Sequence, residues 1–559
     1  MGFFDAQVAA LAWHLETAPL ARDLRAAYGE AADLDLWRAV LDEAGRLSED
    51  VIQPIDAIID HHAAMPVDGH VRCAATHHAA WQAFRNGGWL SLDAPQAVGG
   101  QGLPLTLLVA CDELANRGSA PFMMMPTAIR SAGAVLIDLD DERLVQEWLE
   151  PMLRGQIAAT ICISEPDAGS DVGRIRTVGR RDEHGEWRVS GEKCWISFGD
   201  HDLTDRIVHF LLARTNDQPG VRGLSLFLVP NRHADDTPNG VSLRRVEEKM
   251  GLHGSPTCAL GFEGAQAVLL GAEGRGLQHL FRMMLLMRLS CGPQGCGVAT
   301  DALEVAARYA EERRQGGDAR QPPVAIARHA DIRRQLATMA GAVEVARGLN
   351  LTAAAALELS RLHADEVERA RYLALAQWLL PLVKDGGATL AFDVSSMAMQ
   401  VLGGAGYTSE WPIERHLRDS RVFAIFEGTT GIQAIDLVER RLIREQGEGL
   451  SIFLALARAT QGPAGRPLFM VLDELEAASR HLVSAGHAEV GWAATAYLRL
   501  ATCAAHSWIA DAILLSTDAP PTPPSVSAAA RAYLMDAPAR AQLEAARIMA
   551  EPIQDLAAC

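Results

Sequence analysis

The feature that most constrains this chain is a change of hydrophobic period in its middle. Between residues 157 and 268 short β-rich runs, IAATICIS, EWRVSG, RIVHFLLAR and GLSLFLVP, alternate with Asp, Gly and Pro turns. On both sides apolar residues instead recur at every third and fourth position, the period of an amphipathic helix. One backbone conformation cannot satisfy both periods, so a β-domain must stand between helical regions. The expected class is α+β. A helical N-terminal domain over 1–156 precedes a central antiparallel β-domain over 157–270. A four-helix bundle over 271–446 and an extra helical C-terminal domain over 447–559 follow.

Within the first region helices are expected over 31–59 and 105–115, with a Gly/Pro break at 98–104. The bundle helices are expected over 277–308, 332–355, 364–380 and 388–402. The extension is interrupted by the Pro-rich turn 519–525.

At 559 residues the chain exceeds one ordinary core, and 49% hydrophobic with 22% charged residues excludes a disordered polymer. A formal net charge of −19 opposes a broad phosphate-binding surface, so no nucleic-acid partner is expected. The first twenty residues have no positive region and carry Asp5, unlike a secretory signal. Apolar stretches such as 280–289 are broken by Arg282 and Arg288, so no membrane span is expected. Nine scattered Cys suggest reduced thiols and a cytoplasmic location. The adjacent pairs His61-His62 and His77-His78 lack metal-ligand spacing and are assigned to the surface, with no metal site. The Gly-rich segment 99–102 follows no βαβ strand and reads as a turn.

Four segments carry chemistry. The loop 164–171 (SEPDAGSD) sets hydroxyls and close-approach glycine beside one another, an anion-accepting combination that alone would be an ordinary surface turn. The others are 190–197 (SGEKCWIS), 400–407 (QVLGGAGY) and 418–430 (RDSRVFAIFEGTT). In order, spacing and residue type these four resemble the acyl-CoA dehydrogenase family over roughly residues 30–445. The segments 199–204 (GDHDLT), 248–258 (EKMGLHGSPTC) and 308–316 (RYAEERRQG) are similar to its 3-methylmercaptopropionyl-CoA dehydrogenase subgroup, which also carries a C-terminal helical extension.

The resemblance implies FAD-dependent removal of two hydrogens from an acyl-CoA thioester, giving the trans-2-enoyl-CoA. Glu427 would be the base, its carboxyl desolvated by the apolar run 422–426, and the backbone at Glu427 and Gly428 would help bind the thioester carbonyl. Alone, Glu427 reads as a helix-start carboxylate. By the same resemblance Ile161, Ser164, Ser170, Trp195 and Ser197 surround the flavin, Ser197 standing where Thr is usual. Arg313 would reach a pyrophosphate, of the neighbouring subunit where the family pattern holds, or else be a solvated charge. Gln400, Gly403 and Gly404 would meet the adenosine end, and Thr429 the diphosphate. Ser170 and Arg288 would approach the CoA portion, although Leu285 replaces a usual Asn or Asp. The methionines at 123–125 and 283–287 read chiefly as core. The implied partners are an acyl-CoA of short or medium chain, 3-(methylthio)propionyl-CoA among them, an electron-transfer flavoprotein and a second copy of the chain.

Three alternatives remain. An acyl-CoA oxidase on the same fold would pass electrons to oxygen. A DNA-associated flavin-bearing relative is opposed by the composition of residues 450–559, seven Arg and no Lys against ten acidic residues. An interaction protein that has lost activity is opposed by the intact Glu427.

Overall fold

The computed structural model describes residues 4–551 apart from 63, 461, 463, 464, 486 and 516–521. Residues 519–521 of the Pro-rich turn at 519–525 therefore lie outside the described residues. The chain forms two compact units, one of Met1–Gly45, Leu105–Arg117 and Arg288–Cys559, the other of Arg46–Pro104 and Gly118–Met287.

The second unit is built on a seven-stranded sheet. After a small hairpin, β1 (Met65–Val67) and β2 (His70–Arg72), come β3 (Ile157–Cys162), β4 (Val178–Arg181), β5 (Trp187–Ser197), β6 (Arg206–Arg214), β7 (Leu224–Pro230), β8 (Val241–Val246) and β9 (Thr257–Leu270). The order is β3-β6-β4-β5-β9-β7, with β8 on β9 and β7 also on β6, so most of the sheet closes on itself. The sheet is mixed rather than purely antiparallel, because β6 pairs in parallel with both β3 and β4. The largely apolar runs of β6 and β7 fit this closure, since each is buried along nearly its whole length. The 199–204 segment fastens the hairpin: Asp200 accepts from the Val71 N–H at 3.1 Å and Asp202 from the Cys73 N–H at 2.9 Å.

His77 is not on the surface as expected. It lies on the inner face of helix Ala75–Asn86, against Phe122 and Phe198. Burial, with His78 nearby, lowers its pKa to about 4, so the imidazole is neutral.

In the first unit the helices Ala330–Leu362 and Glu366–Leu402 pack with the helical run that follows Arg288. The expected helices 364–380 and 388–402 are one element, which passes through Pro381 and the glycine pair Gly386-Gly387. Those glycines permit a close crossing: a methyl on Gly295 would lie 2.0 Å from the Gly387 carbonyl oxygen. The fourth bundle member is broken into Ile413–Ser420, Arg421–Ala424, Thr430–Ile435 and a wide-turn segment Asp436–Arg444. Helices Glu448–Ala459 and Pro524–Leu534 of the extension pack on the bundle helices Glu366–Leu402 and Ala330–Leu362 respectively. An apolar helical face is thus covered within the chain.

Two helices, Ala120–Leu139 and Val490–Leu515, are long and apolar enough to span a bilayer, and the sequence reading passed over both. Each is mostly buried, as a core helix is. Among the described residues no group of three or more His, Cys, Asp or Glu is disposed to hold a metal.

Candidate active site

In the second unit, Ser164–Asp171 and β5 are one construction. The Cys194 N–H donates to the Ser164 carbonyl at 3.0 Å, and Lys193 Nζ donates to Glu165 Oε1 at 2.8 Å and to the Ile163 carbonyl at 3.0 Å. Glu165 also accepts from the N–H groups of Arg176 and Thr177, at 2.7 and 3.0 Å. Burial pushes the Glu165 pKa up, but Lys193 and these donors prevail and hold it below the usual carboxylate range. A buried pair whose carboxylate accepts three hydrogen bonds fixes the loop that carries Ser164 and Ser170. Sequence reasoning quoted Glu165 and Lys193 within its motifs and gave neither a role.

Trp195 departs from the strand around it. Cys194 and Ile196 are buried, whereas Trp195 is 61% exposed and has φ +62. A non-glycine residue at positive φ is strained, and such strain collects where function requires it. The bulge between Lys193 and Ile196 turns the indole outward. Ile161 and Ser197 are half-buried, Ile161 on β3 and Ser197 at the end of β5, and Ser170 is exposed.

In the first unit Glu427 occupies the break in the fourth bundle member. It too is left-handed, with φ +53, and Gly428 follows at +87. The half-buried Glu427 is therefore no helix-start residue: the N-cap is Thr429, whose hydroxyl accepts from the Ile432 N–H at 3.3 Å. The fully buried Gln433 side chain donates to the Glu427 carbonyl at 3.0 Å and to that of Gly428 at 3.3 Å. Among the described residues the Glu427 N–H has no hydrogen-bond partner. Burial raises the Glu427 pKa above the usual carboxylate value, opposed by the charges of Lys384 and Arg288. Arg288 pairs with Asp436 at 2.8 Å. Cys291, close by, is buried and its thiol is pushed up to about 12, so it is no nucleophile.

The sequence-predicted residues thus fall into groups. Glu427, Gly428, Thr429 and Arg288 come together. Gln400, Gly403 and Gly404 sit exposed at the far end of helix Glu366–Leu402. Gln400 is sixteen residues beyond Lys384, about 24 Å along a helix. Arg313 is exposed just past Glu312, where its helix ends. Lys384, Asp385, Gln433 and Asp436 were missed. The only signal for Lys384 was a charge, next to Asp385, at the end of the largely apolar run 375–383.

This arrangement presents one half-buried carboxylate, made more basic by burial, beside two cations and an unbonded backbone N–H. Such a site can take a proton from carbon while stabilising negative charge on an adjacent oxygen. Family models match the chain along most of its length: the acyl-CoA dehydrogenase N-terminal domain matches residues 36–156, the middle domain 160–265 and the C-terminal domain 274–443. The chain belongs to the acyl-CoA dehydrogenase family, whose members are oxidoreductases. Among its relatives is 3-methylmercaptopropionyl-CoA dehydrogenase of Ruegeria pomeroyi, 36% identical over 440 residues, which are 77% of this chain and 74% of that protein. Similar folds include Caenorhabditis elegans ACDH-11 in complex with C11-CoA, with TM-score 0.78, 19% identity and coverage of 94% and 91%. Bacillus anthracis acyl-CoA dehydrogenase complexed with FAD gives TM-score 0.76 at 22% identity, covering 93% of this chain and 89% of that one.

Proposed function

We propose that this protein oxidises a short or medium acyl-CoA to its trans-2-enoyl-CoA, with Glu427 taking the α-proton. The carrying observation is the Glu427 turn: a strained carboxylate whose proton affinity is raised by burial. An α-proton of a thioester is too weakly acidic for an ordinary surface carboxylate, so both basicity and carbonyl polarisation are needed. The Glu427 N–H supplies a donor for the thioester oxygen, and Arg288, oriented by Asp436, adds positive charge.

The residues fit FAD. An exposed indole held outward beside Ser164 and Ser197 offers a flat apolar face and hydroxyl donors, which an isoalloxazine ring and its phosphates require. FAD, when bound, accepts the hydride equivalent from the β carbon. In this reading Ile161, Ser164, Ser170, Trp195 and Ser197 hold it, with Thr429 toward the diphosphate and Ser170 also toward CoA. Arg313, Gln400, Gly403 and Gly404 would serve the FAD of a second copy, a reading supported by the length of helix that separates Gln400 from Glu427. A homodimer follows from it. Electrons would leave to an electron-transfer flavoprotein. The similarity to the Ruegeria enzyme supports 3-(methylthio)propionyl-CoA as one substrate to test.

The test is anaerobic titration of the purified protein with a panel of acyl-CoA thioesters, following the absorbance of oxidised flavin, in wild type and in Glu427→Gln. Bleaching by one chain-length class, lost in the variant, is the expected result. A yellow protein that no thioester bleaches, or a colourless one, would overturn the reading.

A further inference from the structure

The turn that carries Glu427 is gripped from both sides by two consecutive residues of helix Glu366–Leu402. Upstream, Lys384 Nζ donates to the Phe423 carbonyl oxygen at 2.9 Å. Downstream, the Thr430 hydroxyl donates to Asp385 Oδ1 at 2.6 Å. Both Lys384 and Asp385 are buried, the lysine fully. Successive residues of a helix point about 100° apart, so adjacent side chains can reach two ends of one turn lying across the helix. The Phe423 carbonyl lies in a short 3-10 segment and Thr430 opens the next helix. The two anchors therefore bracket the left-handed pair Glu427-Gly428, whose own carbonyls are tied by Gln433.

The charges are arranged unequally. Arg288 is compensated by Asp436 at 2.8 Å. Lys384 binds a neutral carbonyl, and among the described residues no carboxylate lies within ion-pair distance of its ammonium. Asp385 is the next residue, but its oxygen is engaged by Thr430. Cys291, which faces the same region from the neighbouring helix, is an un-ionised thiol. Of the groups around Glu427, namely Lys384, Asp385, Arg288, Asp436 and Cys291, only Lys384 brings a positive charge with no carboxylate paired to it among the described residues.

We propose that Lys384 and Asp385 are positioning residues that clamp the catalytic turn, and that the Lys384 ammonium is the counter-charge against which Glu427 ionises. This rests on the reading of Glu427 as the base. A buried ammonium near a carboxylate favours the ionised carboxylate, so the lysine sets the pH above which the base is competent. The clamp keeps the left-handed turn from relaxing, which preserves the direction of attack.

The experiment uses full-length holoenzyme with Lys384→Gln, Lys384→Arg, Glu427→Gln and the double variant K384Q/E427Q. Melting temperatures at pH 8 are expected to be coupled: K384Q lowers the melting point in wild type and lowers it less, or raises it, with E427Q present. In turnover the acid limb of kcat/KM is expected to move to higher pH in K384Q and to stay in place in K384R. Additive melting shifts, or an acid limb unmoved in K384Q, would overturn the proposal. If K384Q does not fold, Thr430→Val tests the other side of the clamp. A kcat lower by about tenfold or more, recovered in Thr430→Ser, is expected, and full kcat in T430V would overturn it. Turnover surviving in E427Q would instead overturn the assignment of the base. The melting cycle, which needs no turnover, would still decide whether the two charges are coupled.

Discussion

Arg347 Nη2 lies 2.7 Å from Glu113 Oε1, and both side chains are only 2% exposed. The pair joins helix Leu105–Gly118 to helix Ala330–Leu362, 234 residues apart in sequence. Gln7 donates to the same Glu113 oxygen at 2.9 Å, and Arg347 reaches Thr300 at 3.2 Å and Glu344 at 2.6 Å. Removing Arg347 leaves the Glu113 carboxylate buried without a counter-charge, whereas removing the Glu113 charge leaves Arg347 its second partner, Glu344. Arg347→Met is therefore expected to cost about 3–5 kcal/mol and Glu113→Gln less, each read as a drop in melting temperature. The double variant is expected to lose less than the sum.

Glu344 supplies a pH signature. Burial raises its pKa, but the Arg347 guanidinium and His14 overcome this and hold it at about 2, against an ordinary 4.5. A depressed carboxylate adds stability in full above about pH 4.5 and loses it as pH falls toward about 2. The melting difference between wild type and Glu344→Gln should be constant above that window and shrink within it. A difference that grows on acidification would contradict the assignment.

Glu427 has the opposite sign. Its raised pKa favours the protonated form, whereas proton abstraction needs the ionised one. The rate should therefore climb with pH through a limb lying above the usual carboxylate range, and Glu427→Gln should lower kcat by at least about 100-fold. Stopped-flow flavin reduction across pH checks both.

Trp195 and the Glu165–Lys193 pair should separate stacking from scaffolding. Trp195→Phe keeps a flat face and is expected to retain flavin, while Trp195→Ala loses it with little change in the melting of the apoprotein. Lys193→Met strands Glu165 without its buried partner and is expected to lower both flavin content and melting temperature. The absorbance ratio of flavin to protein, set beside a melting curve, distinguishes the two.

Asp436→Asn should release Arg288 from its ion pair. The freed guanidinium loses its fixed orientation, so kcat is expected to fall while the protein keeps its flavin. An unchanged kcat would show that the pairing does not orient Arg288 for the reaction.

By itself the sequence determined the alternation of helical and β regions, because hydrophobic period is a local property written in neighbouring residues. It also marked Trp195 and Glu427, since motif order survives without coordinates. Tertiary structure decided what local pattern could not carry. The sequence reading ended one helix at 380 and began another at 388, yet the packed bundle holds helix Glu366–Leu402 continuous through Pro381. Strand runs identified β3 and β6 without revealing that they pair in parallel, and passed over β4, which also pairs in parallel with β6; both pairings depend on how the sheet closes. His77 looked like a surface residue until helix Ala75–Asn86 turned it toward Phe122. Lys384 stood unremarked because its partner carbonyl is 39 residues away, and Arg288 meets Asp436 across 148. A side chain's partner, and with it the charge state and direction of Glu427, is fixed only when distant segments are brought within a few ångströms.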